Sequence, residues 1–148
     1  MTNPISNIDN TIDSRDVIER IEELEAERET LLEIYDEFDE FDEFGKEDNS
    51  KERIEARDAL TKFDNSEEGQ ELTALKKLAE QGENIDDWQY GVGLIHEDYF
   101  ETVMDDMVAN CYTLPKDLPS WMTITYDYDA LKQDYTEIDF DGQTYYVR

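Results

Sequence analysis

Val17, Ile21, Leu24, Leu31, Tyr35 and Phe38 follow one another by steps of three and four residues, a heptad seam interrupted once where Arg28 takes an apolar position. Residues at that spacing lie along one side of an α-helix, and a seam this narrow is stable only when a second helix covers it. Asp13 or Ser14 can cap the helix, and Asp16 in its first turn faces the positive end of the backbone dipole. Glu22, Glu23, Glu25, Glu27 and Glu29 populate the solvated flanks. The spacing therefore predicts a helix over residues 14–44. Its seam forms either the interface of a homodimer or one side of an intramolecular helical hairpin.

The end of that helix reads Asp-Glu-Phe three times, from Asp36 to Phe44. At a period of three, the phenylalanines drift slowly around a helix of ~3.6 residues per turn and can share one broad face. Asp36, Glu37, Asp39, Glu40, Asp42 and Glu43 cover the rest of the circumference. Gly45 is a natural stop. Asn49 with Glu52 then suggests the start of a second helix, with Ile54, Leu60 and Phe63 as a thin apolar stripe. Ser66 can cap a third, in which Leu72, Leu75, Leu78 and Ala79 line one side and Gly82 closes the end. Residues 1–12, polar and aperiodic, read as a flexible leader, and residues 13–87 as an acidic helical region. Together they hold 29 acids and 10 bases.

From Trp88 onward the texture changes. Residues 88–95 suggest a strand through Trp88, Tyr90, Val92, Leu94 and Ile95, and Asp98 with Glu101 opens a helix. That helix carries Phe100, Val103, Met104, Met107, Val108 and Cys111 toward a core. Pro115 and Pro119 mark a loop, residues 121–125 are β-branched and aromatic, and residues 127–133 fit a short helix. Asp141-Gly142 between two alternating runs is a strong hairpin signal. The expected class is α+β: a long N-terminal helix or helical hairpin, coiled-coil-like, followed by a small α+β module over residues 88–148 that ends in a β-hairpin.

Charge limits what such a chain can bind. There are 41 acids against 13 bases among 148 residues, a formal net charge of −28. Phosphate contacts need Lys and Arg, so direct binding of nucleic acid or of an anionic membrane is excluded, and the partners must be cationic. One cysteine excludes an internal disulfide framework and fits a reducing cytoplasm. No segment has the apolar run of a signal peptide or a membrane span. His96, the single histidine, stands near no nucleophile motif and reads as structural; Cys111 reads as a core residue. Gly91-Val92-Gly93 lacks the later glycine and the Lys-Ser/Thr ending of a phosphate loop. Asp64, Ser66, Glu68 and Gly69 imitate a calcium loop until its twelfth position, where Leu75 stands in place of the required Glu. No catalytic residue, metal site or cofactor is expected.

The acidic helix can be a plain solvated face, which is how most charge runs end. Halophilic adaptation is a second explanation, against which stand seven Lys to six Arg and several large hydrophobes. The third is imitation of a nucleic acid. Duplex DNA carries one negative charge per ~1.7 Å of axis and a helix rises ~1.5 Å per residue, so an acid-dense helix approaches a duplex in linear charge density.

Asp98-Tyr99-Phe100-Glu101, then Leu114-Pro115 and Leu118, then residues 126–131 (Tyr-Asp-Tyr-Asp-Ala-Leu) with Asp134, and finally residues 142–147 resemble, in that order, the C-terminal part of ArdA-type antirestriction proteins. The similarity covers roughly residues 97–148, and the ending also resembles small acidic proteins of phages and mobile elements. It implies an elongated acidic dimer that mimics DNA and occupies the DNA-binding groove of Type I restriction-modification enzymes. Carried across by position, Asp98, Glu101, Asp105, Asp106, Asp127, Asp129 and Asp134 join Asp36, Glu37, Asp39, Glu40, Asp42 and Glu43 as phosphate-mimicking carboxylates. The family's first two domains have no counterpart here. The expected function is that of a non-enzymatic inhibitor acting in the host-cell cytoplasm. It blocks a basic DNA-binding protein or nuclease complex, either a restriction-modification enzyme or a CRISPR effector. The alternative is an acidic coiled-coil adaptor or structural protein that binds a basic partner.

Overall fold

The computed structural model describes residues 2–37 and 51–148. These form a mixed α+β fold. Strands β1 (Thr11–Asp13), β2 (Gly93–His96), β3 (Thr136–Phe140) and β4 (Gln143–Val147) make one antiparallel sheet in the order β1-β2-β4-β3. Five helices accompany it among the described residues: α1 (Ser14–Asp36), α2 (Lys51–Asn65), α3 (Glu67–Gly82), α4 (Glu97–Cys111) and α5 (Tyr128–Lys132). The β3–β4 hairpin turns on Asp141-Gly142, as the sequence predicts. Both residues have positive φ, 48° and 85°, which matches the twist of the two strands.

Side chains of a strand alternate between the two faces of its sheet, and the register sorts this core into two layers. Leu94 pairs with Ile12 and Val147, and His96 with Tyr145, which also faces Ile138. Apart from His96, this set packs with Val17 and Leu24 of α1 and with Leu72, Leu75 and Leu78 of α3. Tyr146, one residue out of phase, faces the other way onto Phe100 and Met104 of α4. Burial of each such side chain contributes about 1.5–3 kcal/mol. Strand β4 is the centre of the stack, with Tyr145, Tyr146 and Val147 all buried.

Several expectations change on this scaffold. The leader is not loose: it supplies β1, and the Tyr145 hydroxyl donates to the Asp9 carbonyl at 2.7 Å. Along the heptad seam Leu31 and Tyr35 are half-buried, whereas in its first half Val17 and Leu24 are completely buried against α3 and the sheet and Ile21 packs beside them. Those first-half positions are closed to a dimer partner. Arg28 interrupts the seam because it reaches across to α2, where Asp64 accepts from its Nε at 2.8 Å. Residues 88–95 are not one strand. Trp88–Tyr90 is a 3-10 turn, and the strand begins only at Gly93. Gly82, the last residue of α3, has to be glycine for a steric reason: a Cβ there would lie 2.4 Å from the Trp88 ring. In α2 the buried positions are Arg53 and Ala56, while Ile54, Leu60 and Phe63 are half-buried. Cys111 is exposed and residues 121–125 form no strand.

One buried serine joins the helical layer to the sheet. The Ser14 hydroxyl donates to the Trp88 carbonyl at 2.7 Å and accepts from the Val92 amide at 2.7 Å, while its own amide donates to the Val92 carbonyl at 2.9 Å. Ser14→Ala leaves a buried carbonyl and a buried N–H without partners, so urea denaturation should show a loss of about 1–3 kcal/mol. A loss below about 0.5 kcal/mol would show that water replaces the hydroxyl at this junction.

Candidate partner-binding surface

Helix α4 begins at a buried histidine. His96 Nδ1 accepts from the Asp98 amide at 3.1 Å, and its Nε2 meets Gln143 Oε1 at 3.1 Å, so Nε2 carries the proton and Nδ1 is free to cap. Asp98 and Glu101, predicted as a capping pair, are released to the surface. With Phe100 and Met104 turned inward, Asp98, Glu101 and Asp105 follow one another at steps of three and four and share the exposed side, next to Asp106.

Helix α5 extends this surface. Asp127 caps it by accepting from the Ala130 amide at 3.0 Å. The Tyr128 hydroxyl donates to Asp105 at 2.6 Å and ties α5 to the acidic side of α4. That bond, with the negative charge of Asp105 beside it, pushes the Tyr128 phenol up to about 12. Lys132, the one base of α5, lies over the rings of Phe100 and Tyr146 at 5.8 and 5.5 Å, so its charge is used against aromatic faces.

The two halves treat their charges differently. In the helical region bases are matched to acids. Arg20 clamps Glu71 through Nε and Nη2, with Nη2–Oε2 at 2.9 Å and both side chains about nine-tenths buried. Arg28 pairs with Asp64, Lys76 with Glu25 at 2.7 Å, and Arg15 with Asp13 at 2.9 Å. Hydrogen bonds from Arg28 and Arg15 hold the carboxyls of Asp64 and Asp13 below the usual range. Residues 88–148 contain 12 acids and 3 bases. Among the described residues none of those acids forms an ion pair with a Lys or Arg.

Asp98, Glu101, Asp105 and Asp106 are exposed on α4, Asp129 on α5 and Asp127 at its N-cap, with Asp134 exposed just beyond, and the Tyr128–Asp105 bond links the two helices. Asp36 and Glu37 are exposed at the far end of α1, whose last turn holds no base to offset the negative pole of the helix. Phe38, Asp39, Glu40, Asp42 and Glu43 lie outside the described residues. Among those described, no group of three or more metal-ligating side chains converges, and no helix is long and apolar enough to cross a membrane.

Sequence reasoning missed two features. An open cleft of about 900 Å³ runs between the leader, α3 and the hairpin turn, lined by Glu67, Glu71 and Asp139 among others. The second is the connection over residues 112–127, where Tyr112, Trp121, Met122 and Ile124 are exposed. Pro115 and Pro119 signalled a loop, and the β-branched and aromatic composition of residues 121–125 gave no sign that these side chains stand exposed. Only the strand order shows that no sheet edge receives this stretch.

Like charges crowd this surface, so raising sodium chloride from about 0.02 to 0.5 M should raise the melting temperature, by about 2–4 °C for each kcal/mol regained. An unchanged melting temperature would show that repulsion is already relieved by bound cations. At alkaline pH, burial and the charge of Asp9 push Tyr145 up to about 12. A phenol raised on folding stabilises fully below its unfolded value of ~10, and that contribution is lost as pH climbs through the folded value. Stability should therefore fall between about pH 10 and 12, less steeply in Tyr145→Phe, and denaturation across that range checks it. Compared with known proteins, the chain matches no family model, no curated protein and no solved structure.

Proposed function

We propose that the protein is a non-enzymatic DNA mimic, encoded by a phage or mobile element, that inhibits a DNA-binding defence enzyme by occupying its DNA-binding cleft. The observation that carries this is the α4–α5 surface, where carboxylates stand exposed with no Lys or Arg paired to them. Helix α4 holds five acids in 15 residues. At ~1.5 Å per residue that is one carboxylate per about 4.5 Å, close to the ~3.4 Å spacing of phosphates along one DNA strand. A protein built only to fold gains nothing from leaving these charges unmatched, since their repulsion costs stability. In this reading α1 and α2 are arms of a coiled-coil-like hairpin whose outer faces, with Asp36 and Glu37, extend the surface. The partner is a basic protein or nuclease complex in the cytoplasm of the host.

Binding to a basic DNA cleft releases the carboxylates' counterions, so affinity should fall linearly with salt on logarithmic axes, as DNA binding does. The measurement is displacement: the protein is bound to a purified Type I restriction-modification enzyme and titrated with duplex DNA. Competitive displacement is expected. A complex that survives excess duplex would place the protein among acidic adaptors that bind a basic partner elsewhere. Changing Asp98, Glu101 and Asp106 to amides should weaken binding by about tenfold or more and flatten the salt slope, because three phosphate-like charges are lost.

A further inference from the structure

We propose that residues 112–127 form an anchoring loop, with Trp121 at its tip, that inserts into an apolar pocket beside the cationic surface of a basic protein partner. The inference rests on the reading of the α4–α5 surface given above and names the feature that adds shape to its charge.

The loop is long for a connection between two adjoining helices, where about two to eight residues suffice. It is also held in shape. Pro115 and Pro119 fix two φ angles. The Met122 amide donates to the Pro119 carbonyl at 2.9 Å, closing a turn with Trp121 at its third position. Leu114 and Leu118 are half-buried, and the Tyr126 ring stands edge-on to Tyr128 at 6.0 Å. At the tip, Trp121 is 79% exposed and enters neither core cluster. Its indole contributes little to the fold, and Met122 and Ile124, its near neighbours in the chain, are exposed as well.

The surroundings select the occupant. The loop leaves α4 at Cys111, more than a turn beyond Asp105 and Asp106, and returns at Asp127, the N-cap of α5. Tyr128 closes the circuit by bonding to Asp105. Asp117 within the loop and Asp127 and Asp129 at its return are exposed, with Lys116 the one base among them, so the tip stands on an acidic stretch of chain. A second copy of this chain would bring another net charge of −28 to the contact, and an anionic lipid surface or a nucleic acid would be repelled in the same way. A basic protein surface with an apolar pocket meets both requirements. Tryptophan in such a pocket, ringed by polar contacts, is the typical dominant residue of an interface.

The experiment uses the full chain, its Trp121→Ala variant and the Asp98→Asn/Glu101→Gln/Asp106→Asn variant. Asp105 is left intact because it holds Tyr128. The probes are a purified Type I restriction-modification enzyme, an RNA-guided nuclease and a histone octamer, titrated at three salt concentrations. Trp121→Ala should weaken binding about 30-fold or more, with an unchanged salt slope and an unchanged melting temperature. The amide variant should flatten the slope instead. Trp121→Ala binding within about twofold of wild type overturns the anchor, even where duplex DNA competes. A Trp121→Ala loss in a complex that duplex DNA fails to displace keeps the anchor and removes DNA mimicry. Absence of binding to all three probes overturns both.

Discussion

Strand β4 is the interaction on which the rest depends. It pairs with β2 on one side and β3 on the other, and it buries successive side chains in opposite layers. Val147 and Tyr145 seal the layer shared with α1 and α3, and Tyr146 seals the layer shared with α4. A small chain rich in charge has few apolar residues to bury. Using both faces of one central strand lets five residues organise two cores. The acidic surface of α4 is held in place because Phe100 and Met104, on its inner side, are fixed against Tyr146.

Electrostatics divides the molecule along the same line. Around α1 and α3 the arginines are committed: Arg20 is nearly buried against Glu71, and that carboxylate also accepts from the Ile5 amide at 2.8 Å. A buried pair of this kind adds little net stability by itself, but leaving one partner alone is costly, so it fixes how the leader, α1 and α3 meet. Around α4 and α5 the opposite holds. The single lysine of α5 sits over aromatic rings, and the carboxylates are left to water. Bases are paired in one half and acids left without Lys or Arg partners in the other.

Much of this was legible in the sequence. The Asp141-Gly142 hairpin, the Ser66 cap of α3, its leucine stripe and the acid-rich exterior of α4 follow from local rules that need no tertiary knowledge. What escaped was long-range. Thr11–Asp13 becomes a strand only because Gly93–His96 lies ready to pair with it. A heptad pattern states that a helix must be covered, and says nothing of whether the cover comes from the same chain. His96 as an N-cap was invisible, since imidazole is not among the usual caps and its role depends on Gln143 holding the other nitrogen. The apolar residues at 121–125 carry β propensity without a strand to pair with, and propensity alone cannot report an absent partner.

The pairing of β1 with β2 places α1, α2 and α3 between two neighbouring strands, as an insertion that leaves the sheet at Asp13 and returns at Gly93. Closing a longer excursion between fixed ends adds only about 0.6 kcal/mol for each doubling of its length. That excursion can therefore change in length while Ser14 and the strand register stay as they are. Such a scaffold separates changes in the length and charge of the excursion from changes in the sheet.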